Sequence, residues 1–114
     1  MFPDDLHDWD LDGFTLSPSE ITLDVRLNDA RKRITLKGVR RCLVNNLLVS
    51  NIIFEARVVT ADEEPELYKE ELARLDETYP TKPADPPPNL LRISASLGAS
   101  ATIEFRDIEI SDQK

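Results

Sequence analysis

The sequence predicts an α+β domain: a mostly antiparallel sheet of about six strands with one helix packed on one face. Three observations predict it. Apolar and polar residues alternate with a period of two through most of the chain. The period changes to a helical one once, between residues 60 and 79. Short clusters of turn residues separate the alternating stretches. At 114 residues the chain reads as a single domain over 1–114, large enough to bury one core.

The elements follow in order. FTLSPSE, residues 14–20, reads as a short strand and a turn, because Pro18 presets φ and Ser17 and Ser19 suit turn positions. EITLDVRLN then places Ile21, Leu23, Val25 and Leu27 on one face and Thr22, Asp24 and Arg26 on the other. Asn28 and Asp29 supply the next turn. RITLKGV alternates again, with Ile34 and Leu36 inward and Gly38 marking a bulge or an end. Cys42 to Leu48 fits either a strand or a helical turn. In the residues that follow, Ile53 and Val59 read onto one face and Ile52, Phe54, Ala56 and Val58 onto the other. Both faces are apolar, which places that strand centrally.

The helix lies in TADEEPELYKEELARLDETY. Thr60 and Glu63 have capping-box spacing, and Pro65 is tolerable in a first turn. Tyr68, Leu72, Leu75 and Tyr79 form one stripe, and Glu70 and Arg74 have pairing distance at i, i+4. Residues 80–89 hold five prolines in ten positions, which predicts a stiff surface loop between helix and strand. LLRISASLG and ATIEFRDIEI are the closing strands, joined by a turn at Gly98–Ser100. The second slips phase at Arg106–Asp107, the signature of a bulge or bend.

Charge and composition bound the function. The net charge is −8, which disfavours nonspecific binding to nucleic acid or to an anionic membrane surface. Residues 31–41 carry six basic side chains and no acid. Electrostatic balance with neighbouring acidic elements accounts for them, and a site for phosphate or an acidic partner is the functional alternative. The single cysteine, Cys42, has no internal partner, so a reducing compartment is expected. The N-terminus has no secretory pattern, and the apolar run LLVSNIIF is too short to cross a bilayer. The expectation is a cytoplasmic protein of undetermined oligomeric state; an exposed strand edge is one route to a dimer.

The candidate chemistry is sparse. Asp8, Asp10, Asp12 and Gly13 spell the D-x-D-x-D-G opening of a calcium loop. Position 12 of that loop is Ser19, Glu20 arrives one residue late, and no helix flanks the segment. Alternation explains the same residues: the carboxylates face water while Trp9 and Leu11 face inward. A small calcium-binding domain built on Asp8, Asp10, Asp12 and Glu20 stands as the alternative reading. Trp9 reads equally as a binding anchor or as a lid on the core. His7 is the only histidine and lacks partners for a triad or a zinc site. Arg41 beside Cys42 is a sequence reason for a lowered thiol pKa, but with no second cysteine and no nearby histidine Cys42 reads as a buried or semi-buried small residue. Nothing here points to a catalytic residue or a cofactor, and no enzyme is expected. The residues assigned to binding are Asp8, Trp9, Asp10 and Asp12.

Four stretches carry a resemblance. They are LHDWDL with His7–Asp8, ITLKGVRR with Gly38–Val39, NNLLVSNIIFEARV with Asn51–Ile52–Ile53, and SLGASATIEFRDIEI with Gly98. In that order the chain resembles the immunity protein 50 family of bacterial polymorphic-toxin systems, or a related small bacterial domain. The resemblance implies a non-catalytic protein that binds and neutralises a cognate toxin in the cytoplasm. An acidic inhibitor suits that role, since it can be steered to a basic partner.

Overall fold

A computed structural model describes residues 6–79 and 86–113. The elements are β1 (Asp10–Ser17), β2 (Glu20–Leu27), β3 (Ala30–Lys37), β4 (Cys42–Asn45), β5 (Ile52–Val59), α1 (Pro65–Thr78), β6 (Asn89–Leu97), β7 (Ser100–Phe105) and β8 (Asp107–Gln113). The α+β expectation holds, but the sheet has eight strands where about six are expected. Two breaks account for the excess. The segment left open between strand and helical turn forms β4 and breaks off before β5, and Arg106 separates β7 from β8, at the phase slip noted above.

All pairings among the described residues are antiparallel, in the order β4-β7-β6-β5-β1-β2-β3-β8. The sheet folds over on itself. Leu11, Leu23, Val25, Ile34 and Leu36 from one half meet Ile53, Leu91, Ile93, Ile103 and Phe105 from the other in one core. The chain passes between the halves twice, from β3 into β4 and from β7 into β8. Strands that switch sides of a folded sheet do so at bends. Here the bend is built by Gly38, whose φ is +68°, against Arg106. The Arg106 amide donates to the Lys37 carbonyl at 2.8 Å, and a Cβ on residue 38 would lie 2.8 Å from Arg106 Cγ.

Helix α1 covers the outer face of the second half. Tyr68 and Leu75 pack with Val59 and Leu90, and Leu67, Leu72 and Leu43 border them. The predicted stripe is present from Tyr68 to Leu75. Tyr79 falls beyond the helix and is exposed, while Glu71 lies buried within the stripe. Of the Thr60–Glu63 pair, the Glu63 amide donates to Thr60 Oγ1 at 3.2 Å. This bond closes a turn ahead of the helix, which itself starts at Pro65 with Glu64 as an N-cap lacking a side-chain bond. Proline suits that first helical position, where its missing N–H costs nothing.

Strand β5 is central, between β6 and β1, but its faces differ from the simple alternation. The register shifts between Ile53 and Glu55. This bulge at Phe54 puts Ile53 on the same side as Ala56 and Val58, in the main core, and turns Val59 to the helix. Most of the proline-rich segment 80–89 lies outside the described residues. Of the part that is described, Pro88 is buried, its carbonyl accepts from the Tyr68 hydroxyl at 2.7 Å, and Asn89 already belongs to β6.

Candidate protein-binding surface

The acidic segment is stitched into the sheet. The Asp8 amide donates to the Ile53 carbonyl at 2.8 Å, and the Trp9 amide closes a turn onto Leu6 at 3.0 Å. His7 Nδ1 donates to the Phe54 carbonyl at 2.8 Å, and the two rings meet edge to face. Trp9 is therefore a lid on the core and not an exposed anchor: it is 8% exposed, with the Lys32 ammonium 6.0 Å from its ring centroid.

Asp10 and Asp12 project to the same side of β1 and share one cation. Arg26 Nε donates to Asp12 Oδ2 at 2.8 Å, and its Nη2 lies 3.1 Å from Asp10 Oδ2. The Asp12 hydrogen bond and charge hold the Arg26 guanidinium above its ordinary pKa. Asp8 points elsewhere, with its carboxylate 3.6 Å from His7 Nε2. Glu20 stands at the far end of the β1–β2 hairpin, opposite Ser17, whereas Asp10 pairs with Arg26. At about 3.3 Å per residue that separation is roughly 20 Å. The four acids of the calcium alternative are not brought together, and among the described residues no three metal-ligating side chains converge.

The basic run is balanced by neighbours. Arg33 pairs with Asp24 at 2.8 Å, Lys37 with Glu109 at 2.9 Å, and Lys32 with Asp112 at 2.9 Å. Arg40 and Arg41 both reach Glu104, at 2.9 Å each, Arg41 from a buried position beneath the helix and Arg40 from a more exposed one. Cys42 sits beside them in sequence, but burial dominates its chemistry and pushes the thiol up to about 11.

Two buried carboxylates that the sequence reading did not single out lie between α1 and the sheet. Glu104 accepts from Arg40 and Arg41, and Arg41 Nη1 also reaches Asp76 at 2.6 Å and the Tyr79 carbonyl at 3.2 Å. Burial pushes the Glu104 carboxyl up, but the Arg40 and Arg41 hydrogen bonds outweigh it and hold it below the usual range. Glu71 accepts from Arg92 Nε at 2.8 Å, Thr102 Oγ1 at 2.7 Å and Arg74 Nη1 at 3.2 Å. Arg74 thus pairs with Glu71 and not with Glu70. Among the described residues, no buried side-chain polar atom lacks a partner. Satisfied on every side, these carboxylates clamp the helix to the sheet.

The remaining feature is apolar and open. Between β4 and β5, Leu47, Leu48 and Val49 are 60%, 53% and 104% exposed. Exposure is not looseness here. Asn51 is buried behind the loop; its Oδ1 accepts from the Leu48 amide at 3.0 Å and the Ala99 amide at 2.9 Å, and its Nδ2 donates to the Leu48 carbonyl at 2.8 Å. The loop and β1 border a groove of about 240 Å³, lined by Leu11, Phe14, Leu47, Leu48 and Val49, with Asp12 at its rim. The signal was present in the sequence as LLVSNIIF; alternation alone does not say which apolar residues stay outside.

No family model matches this chain, and no curated protein or solved structure matches it. Among the described residues, no helix is long and apolar enough to cross a membrane.

Proposed function

We propose that the protein is a non-catalytic protein-binding module, an immunity-like inhibitor that neutralises a cognate toxin in the bacterial cytoplasm. The observation that carries the reading is the loop Leu47–Val49, three consecutive apolar side chains held in the open by Asn51. Contiguous exposed apolar surface marks interaction sites, and a loop already fixed in place loses little freedom on binding. The net charge of −8 favours approach to a basic partner. Of the acids assigned to binding by sequence, Asp12 borders the groove and remains in the proposed contact. Asp8 and Asp10 do not line it, and Trp9 is buried in the core.

The test is to search the neighbouring genes for a toxin and to titrate it calorimetrically against this protein. Val49→Asp and Leu47→Asp should weaken binding by tenfold or more, with thermal melts unchanged. Undiminished affinity in both variants, or no binding by the wild type, overturns the reading.

A further inference from the structure

We propose that β8 is a self-complementary edge, and that two copies of this chain pair through it into one continuous sheet. Strand β8 is hydrogen-bonded to β3 on one side only; among the described residues nothing pairs with its other edge. An unpaired edge presents a row of amides and carbonyls to a second strand. The edge at the opposite end of the sheet, β4, is four residues long, whereas β8 is seven. Strand β8 contains no proline or glycine to interrupt pairing.

Charge favours a second copy. The chain as a whole carries −8, so two copies repel over most of their surface. The β3–β8 margin does not share that excess. Arg31, Lys32, Arg33 and Lys37 on β3 stand against Asp107, Glu109 and Asp112 on β8. Two of those three acids are engaged within the chain, Glu109 by Lys37 and Asp112 by Lys32. Approach along this margin therefore meets less repulsion than the net charge alone implies.

Register then selects one arrangement. A two-fold axis through Ile110 sets Asp107 opposite Gln113 of the second copy, Ile108 opposite Asp112, Glu109 opposite Ser111, and Ile110 opposite itself. Every β8 residue is paired and no acid faces an acid. Centring on Glu109 instead would set that carboxylate against its own copy, which is destabilising. An odd shift would turn the core face of one copy toward the solvent face of the other. The closed two-fold pairing ends at a dimer and does not propagate.

The proposal is independent of the toxin reading, and its test uses the same seven-residue strand. Ser111 faces solvent, and in this register it lies opposite Glu109 of the second copy. Ser111→Glu should weaken dimerisation by about tenfold, because two like-charge contacts form per dimer. Ser111→Lys should tighten it. Sedimentation equilibrium over a concentration series reads both, with thermal melts as the check on folding. Opposite shifts in the two variants support the edge. A wild-type chain that stays monomeric up to about 1 mM, the weak end of specific association, overturns it. So does a dimer indifferent to both substitutions, which would place the contact elsewhere.

Discussion

Asn51 and Gly98 occupy each other's space: a Cβ on residue 98 would lie 2.2 Å from Asn51 Oδ1, where φ at Gly98 is +84°. The same oxygen accepts from the Leu48 and Ala99 amides. One buried amide thus ties the apolar loop to the β6–β7 turn. Gly98→Ala should destabilise the fold by about 2 kcal/mol or more, from backbone strain and the overlap together. Asn51→Ala should cost about 1–3 kcal/mol and leave Leu48 and Ala99 unpartnered. Hydrogen exchange checks the cause: protection should fall first at those two amides.

The helix clamp predicts a second loss. Glu104 is 1% exposed and Arg41 3%, so Glu104→Ala would leave two guanidinium groups without their common acceptor. Breaking a buried pair of this kind costs about 3–5 kcal/mol, read by urea titration. Replacing Val49, on the open loop, should leave the same titration within about 0.5 kcal/mol.

The Glu104 clamp also sets a pH dependence. Its carboxyl titrates below the ordinary glutamate range in the folded chain. Between the two values the unfolded chain binds the proton and the folded chain does not, so stability rises with pH. The contribution is full above the unfolded value of about 4.3 and is lost as pH falls through the lower folded value. Melts from pH 6 to pH 3 should decline less steeply in Glu104→Gln.

Cys42 should react slowly. With its thiol pushed up to about 11 by burial, little thiolate exists near neutrality. A colorimetric thiol reagent at pH 8 should label the folded protein far more slowly than the urea-unfolded one. Equal rates would mean that the thiol is not shielded as described.

Calcium should leave the melt unmoved. Asp10 and Asp12 share Arg26, and Glu20 is at the other end of the hairpin. Curves in EDTA and in excess calcium should superimpose for wild type and for Asp10→Ala. A calcium-dependent rise in the wild type that Asp10→Ala abolishes would restore the metal loop.

The strands of alternating sequence were legible because one face of each is buried: Ile21, Leu23, Val25, Ile34 and Leu36 all point inward as predicted. The helix was legible by its change of period. Less legible was anything that depends on a distant neighbour. Glu104 sits in the polar phase of β7 and reads as solvent-facing, yet α1 covers it. Arg41 reads as part of a basic patch, yet the chain bends it beneath the helix. The bulge at Phe54 inverted the faces of half a strand, and no residue type announces a bulge without glycine or proline. Residues far apart in sequence meet in space: His7 with Phe54, Asn51 with Gly98, and Gly38 with Arg106. Their positions are explained by the fold they build.

The pairing of β3 with β8 joins Arg31 to Gln113 and Lys37 to Asp107, across most of the chain. Strands β1, β2 and β3 pair as local hairpins, but β3 gains its outer partner only when β8, far along the chain, folds back onto it. Non-local closure of this kind slows folding and leaves apolar surface uncovered in the meantime. The core therefore stays open along β3 until β8 docks, however early the hairpins form.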